Sequence, residues 1–422
     1  MSVHEKIKAN IHKNKDEYIK FLQKIVREPT TTENEQGAQK LVAERLKEKG
    51  LEVDVWDPDY NELIKSKFFN PLRDNYEGSP NVVGVLKGAE DGRSLILNGH
   101  IDVVPAGDES KWTYDPYGGQ VVDGKLYGRG TTDMKGGNIA TLIALETIIN
   151  LGIELKGDVI YESVIEEETG GAGTLAAIQR GYKADVAIIP EPSEMRIFPK
   201  QQGSLWFEVT VKGVSAHGGT RYEGVSALEK GWIVFEEIMN LEEKRNKPLR
   251  KDPLYKGNPL PIPINIGQFN GGYFPSAVAE EAIIQGRYGV APGETIEEAK
   301  EEFTEILDNL KYKDDWFANK PATVKWGGIH LPPGGCALDH PMLEILKEKY
   351  VEVEEKEPII AGSAWGTDGG LLTQAGGIPS IIFGPGTTSM AHFTDEYVEL
   401  DKIFKTAEII ALSIIEWCEV ES

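Results

Sequence analysis

The chain has 422 residues, 40% of them hydrophobic, which is more than one ordinary domain holds and enough to bury sizeable cores. A net charge of −23 repels nucleic-acid phosphates and anionic membrane surfaces, and no apolar run approaches the roughly 20 residues that span a bilayer. Met1 to Asp16 lacks the apolar centre of a secretory leader, and Cys336 and Cys418 are too few for a disulfide framework, so a soluble cytoplasmic protein is expected.

Apolar residues recur at helical spacing over 7–26 and 37–49, and 82–86 and 94–97 read as buried strands. A helix over 137–151 and strands at 159–161 and 186–189 continue the alternation, which implies a mainly parallel sheet with helices on both faces. Near Met195 the texture changes. Residues 205–211 alternate as a half-exposed antiparallel strand does, and a helix over 225–241 follows. A strand at 281–288 comes next, and then Thr295 caps a helix running to Leu310. After about Gly328 the earlier style returns, with a helix at 341–351, a strand at 380–383 and a helix at 400–417. The expected organisation is one discontinuous α/β domain, 1–196 and 329–422, interrupted by an inserted α+β domain over 197–328. No internal repeat or low-complexity tract is present.

Five short segments place Asp, Glu or His beside Gly or Pro after strand-like runs. They centre on His100 and Asp102, on Asp133, on Glu166 to Glu168, on Glu191 and on His392. Two imidazoles and several carboxylates suit a pair of zinc-like divalent ions. In a strand, residues i and i+2 share a side, so Asp102 can reach the ring of His100 and hold its second nitrogen. Each segment alone also fits a plain structural role. Asp133 can cap a helix, the three glutamates can start one, and a lone His392 or Glu191 can satisfy a turn. Clustered carboxylates after the apolar Val164-Ile165 repel one another unless a cation sits among them, which favours a metal with one spare base.

The order and flanks of these segments resemble the M20 family of di-zinc amidohydrolases. The matching stretches include Asn98 to Pro105, Trp112 to Pro116, Asp123 to Gly137, Glu166 to Gly173, Glu191 to Ser193, Gly213 to His217, Gly366 to Asp368 and Gly384 to Tyr397. The resemblance implies a zinc-exopeptidase-like catalytic domain with an inserted dimerisation or lid domain. It makes His100 and Glu191 ligands of one ion, Glu168 and His392 ligands of the other, and Asp133 the bridge. It also makes Glu167 the general base, Asp102 the carboxylate that orients His100, and His217 an oxyanion donor supplied across a homodimer. Arg287 resembles the arginine that grips a substrate carboxylate. Around it the chain departs from the family pattern, with Gly286 where an acidic residue is usual.

The implied cofactors are two divalent ions, zinc or alternatively cobalt, and the implied partner is a small N-acyl substrate. The long segment from Asp57 to Pro80 looks most like the acetylornithine deacetylase and succinyl-diaminopimelate desuccinylase branch, so removal of an acyl group from an N-acyl amino acid or related amine is the leading expectation. N-formylaminopyrimidine deformylase-like and dipeptidase or carboxypeptidase activities are its alternatives. A non-catalytic binding protein on this fold is the rival of another class, and no ligand position is lost here to favour it. Nucleotide-binding and serine-hydrolase motifs are absent.

Overall fold

A computed structural model describes residues 1–89 and 92–420. The chain divides into two compact units, one of Met1–Lys200, Gly334–Ala361 and Thr367–Ser422, the other of Gln201–Pro333 with Gly362–Gly366. The boundaries fall at 200 and 333 where the change of texture suggested 196 and 328, and the brief return at Gly362–Gly366 has no counterpart in the sequence pattern.

The centre of the nine-stranded sheet is parallel. Leu95–His100 pairs with Val159–Val164 on one side and Val186–Ile189 on the other, and Val186–Ile189 pairs in turn with Ser380–Ile382. All four strands are buried at every position. Strands covered on both faces must be apolar nearly throughout, which is why their runs do not alternate. The flanks are antiparallel: Glu52–Trp56 on Asn81–Leu86, Asn81–Leu86 on Val159–Val164, and Ile197–Gln201 on Ser380–Ile382. The sheet is therefore mixed, with a parallel core and antiparallel flanks.

Helices cover the sheet. Val3–Val26 starts four residues earlier than its apolar spacing suggests because Ser2 and Glu5 form a capping box. Gly136–Asn150 is apolar on all sides and buried along nearly its whole length. It packs against Val3–Val26 and the C-terminal helix Leu400–Cys418.

The second unit is a four-stranded antiparallel sheet in the order Ile264–Gly271, Glu281–Val290, Gly203–Lys212, Thr323–Leu331. Leu205, Phe207, Val209, Ile284 and Tyr288 from one face bury against Val234 and Ile238 of the helix Ala227–Leu249 and Phe303 of the helix Ile296–Asp308. Thr295 forms the expected cap, as one half of a capping box with Glu298.

Candidate metal centre

Each of the four central parallel strands ends beside a chemistry-bearing segment. His100 closes Leu95–His100, Glu166 to Glu168 follow Val159–Val164, Glu191 follows Val186–Ile189, and the loop to His392 follows Ser380–Ile382. Open α/β sheets place their sites at such carboxyl ends. Asp133 arrives from a turn before the helix Gly136–Asn150.

Close backbone approach brings these segments together. A Cβ on Gly137 would lie 1.9 Å from the carbonyl oxygen of Pro190, and one on Gly384 would lie 2.2 Å from the same atom. Only glycine lets the helix after Asp133 and the loop before His392 both press against the Glu191 turn.

The side chains then converge. His100 Nε2 is 3.2 Å from Asp133 Oδ1 and 3.7 Å from Glu191 Oε1. His392 Nε2 is 3.3 Å from Asp133 Oδ2 and 3.1 Å from Glu168 Oε1. Asp133 thus offers one oxygen to each imidazole, the disposition a bridging carboxylate needs. Donor atoms of His100, Asp133 and Glu168 lie within 4.8 Å of one another, and so do those of His100, Glu167 and Glu191. Glu167 sits as close to the second group as a ligand would, so distance alone does not separate base from ligand.

The electrostatics fit a cation. Burial, then the neighbouring carboxylates, push Glu167 and Glu191 well above the usual carboxylate range, and burial with Asp133 raises Glu168. Burial opposes ionisation of Asp133, but bonds with His100 and His392 outweigh it and hold it low. His392 rises to about 10 through Asp133 and Glu168. Four carboxylates, those of Asp133, Glu167, Glu168 and Glu191, stand with two imidazoles, so positive charge is needed to balance them. Divalent ions would do so with the nitrogen and oxygen donors they prefer.

Asp102 adjoins the second ring nitrogen of His100 through both its main chain and its carboxylate. The second ring nitrogen of His100, Nδ1, meets the main-chain carbonyl of Asp102 at 2.9 Å, while the nearer carboxylate oxygen is 3.5 Å away. The carboxylate also accepts the N–H groups of Glu167 at 3.3 Å and Glu168 at 3.2 Å. One residue thereby fixes His100 through its backbone and the paired glutamates through its side chain.

Arg129 and Glu396 form a buried ion pair whose function no spacing announced. Glu396 accepts the N–H groups of Gly130, Thr132 and Asp133, and Arg129 donates to the carbonyl of His392 at 3.4 Å. The loops that carry Asp133 and His392 are tied by one pair. His392 has φ 65°, a left-handed conformation that a non-glycine residue keeps only when its surroundings hold it. Both residues lie in stretches that carry the family resemblance and glycines flank Arg129, but nothing in their spacing pairs them.

His217 and Arg287 lie in the second unit. His217 is exposed, and its Nδ1 accepts the N–H of Gly219 at 3.1 Å, which leaves the ring proton on Nε2 as a donor. Arg287 Nε donates to Ser204 Oγ at 2.9 Å, and among the described residues no carboxylate pairs with it. A side chain at Gly286 would meet Asn265 O at 2.2 Å and the Phe207 ring, so packing excludes the acidic residue usual there.

Fold and site together define a carboxylate-rich centre suited to divalent cations at the carboxyl ends of the parallel strands of a mixed sheet. Residues 96–416 match the profile of peptidase family M20/M25/M40. The chain is 33% identical to an N-formyl-4-amino-5-aminomethyl-2-methylpyrimidine deformylase from Halalkalibacterium halodurans, over 100% of this chain and 99% of the relative. It is 28% identical to an acetylornithine deacetylase from Proteus mirabilis, over 82% and 84%. A dinuclear metal-binding M20 peptidase from Bacillus subtilis superposes with a TM-score of 0.65 at 15% identity, covering 96% of this chain and 98% of that one. The protein belongs to peptidase family M20/M25/M40 and is an enzyme acting on amide bonds.

Proposed function

We propose that the enzyme is a deformylase that hydrolyses N-formyl-4-amino-5-aminomethyl-2-methylpyrimidine or a close analogue, with two divalent cations, zinc or cobalt. One observation carries the reading: identity of 33% to a deformylase runs end to end through both chains, whereas the match to an acetylornithine deacetylase is weaker and shorter. This supports the deformylase reading over the deacetylase and desuccinylase suggested by the layout of the chain.

His100 and Glu191 would hold one cation, Glu168 and His392 the other, and Asp133 both. Bound there, the pair would lower the pKa of water and polarise the formyl carbonyl. Glu167 accepts the proton as water attacks and delivers it to the leaving nitrogen, releasing formate and the free amine. Asp102 holds Glu167 by its N–H while this happens. His217 would donate from Nε2 to the developing oxyanion across a homodimer formed by the second unit, and Arg287 keeps Nη donors for a substrate acceptor.

The test is a panel of N-formyl, N-acetyl and N-succinyl amines and dipeptides offered with zinc or cobalt. The N-formyl aminomethylpyrimidine should be turned over with the highest kcat/KM. Faster release of acetate, succinate or an amino acid would overturn the proposal.

A further inference from the structure

The loop 57–80 joins two paired strands and contains a single helical turn, Tyr60–Leu63. Loops of this length in a compact unit usually act on something. Arg73 reaches inward from it, with its side chain 10% exposed. Its Nη1 donates to Ser79 Oγ at 3.0 Å, Ser79 donates to Glu35 Oε2 at 2.8 Å, and the guanidinium lies over the Tyr76 ring, 4.5 Å from its centroid. Its Nε is 2.5 Å from Glu166 Oε1.

Glu166 is neither a ligand nor the base; it is the residue before the base. Its side chain is buried against the Arg73 guanidinium. Its backbone has φ 61°, a left-handed conformation that costs a non-glycine residue on the order of 1–3 kcal/mol and persists only where the surroundings over-determine it. Asp102 holds the following two amides from one side. Arg73 makes an ion pair with the Glu166 side chain on the other, while its Nη2 lies 3.7 Å from the buried Glu35 Oε1. The turn presenting Glu167 and Glu168 is therefore gripped at both ends, and one grip comes from the long loop.

We propose that Arg73 is a positioning residue for the reaction: by clamping Glu166 it fixes the turn that aims Glu167 at the water. The inference rests on the reading of Glu167 as general base. A misplacement of about 1 Å in such a group costs on the order of 100-fold in rate.

The experiment is a double-mutant cycle of Arg73→Met and Glu166→Gln, with Arg73→Lys as the conservative variant, on metal-loaded full-length enzyme. Arg73→Met should lower kcat by about 10- to 100-fold, with KM and bound metal near wild type, and Arg73→Lys should recover part of the loss. In the Glu166→Gln background, Arg73→Met should cost little more. An unchanged kcat, a change confined to KM, or a full loss in the Glu166→Gln background would overturn the clamp. Should Arg73→Met fail to fold, Glu166→Gln alone decides, because it is isosteric: wild-type kcat there refutes the clamp. Activity surviving in Glu167→Ala would instead strike the base assignment, and the clamp with it.

Discussion

At the scale of single residues, the question left by distance is which of the adjacent glutamates binds metal. Glu167 and Glu168 share a turn, and Asp102 accepts the amide of each. Glu168 alone contacts His392, at 3.1 Å. Glu167→Ala should therefore abolish turnover by several orders of magnitude while metal content stays near wild type, and Glu168→Ala should lose metal as well; elemental analysis beside activity reads both. Loss of metal in Glu167→Ala would make it a ligand. The residue types were legible in the sequence because carboxylates beside Gly and Pro after apolar runs have few other uses in such number. The supporting contacts were not. That Asp102 serves His100 through its carbonyl, or that Glu396 gathers three amides, depends on backbone paths that no spacing records.

At the scale of elements, the buried parallel strands announced themselves as unbroken apolar runs, and Val186–Ile189 was read to the residue. Two strands at sheet edges did not. Ile264–Gly271 is an edge strand, half polar and largely exposed, and Glu52–Trp56 mixes acids with valines at a sheet edge. Edge strands take their order from hydrogen bonding to a neighbour, which their own composition does not show. One half-buried position on the opposite edge strand of the second unit carries a pH dependence. His330, in Thr323–Leu331, has a buried Nε2 without a hydrogen-bond partner, and burial, helped by Lys300, lowers its pKa to about 4. A histidine kept neutral in the fold but free to protonate when unfolded, near its ordinary 6.5, makes stability fall as pH drops from about 6.5 to about 4. Denaturant midpoints over that range should slope less in His330→Phe than in wild type. Equal slopes would show that His330 contributes nothing to the acid limb.

At the scale of the whole molecule, the discontinuous order of the two units was legible from the return of the early texture near Gly328, while the Gly362–Gly366 return was too short to carry a pattern. Among the described residues, no helix is long and apolar enough to cross a membrane. The second unit exposes Tyr222, Tyr273 and Phe274 around a cleft of about 840 Å³ beside the loop that follows His217. If His217 serves a partner's site, mixing inactive His217→Ala with inactive Glu167→Ala subunits should restore about a quarter of wild-type activity, as one good site in four does when exchange is random. No recovery despite verified subunit exchange would remove His217 from the reaction.

Everything proposed for the reaction depends on paired cations held by His100, Asp133, Glu168, Glu191 and His392. The most direct measurement is to strip the protein with a chelator, titrate zinc back, and follow bound metal and formate release in the same samples. The account predicts about two ions per chain at saturation, with no formate before metal is added and activity rising as the sites fill. Undiminished formate release from metal-free protein, or a chain that binds no zinc, would contradict it.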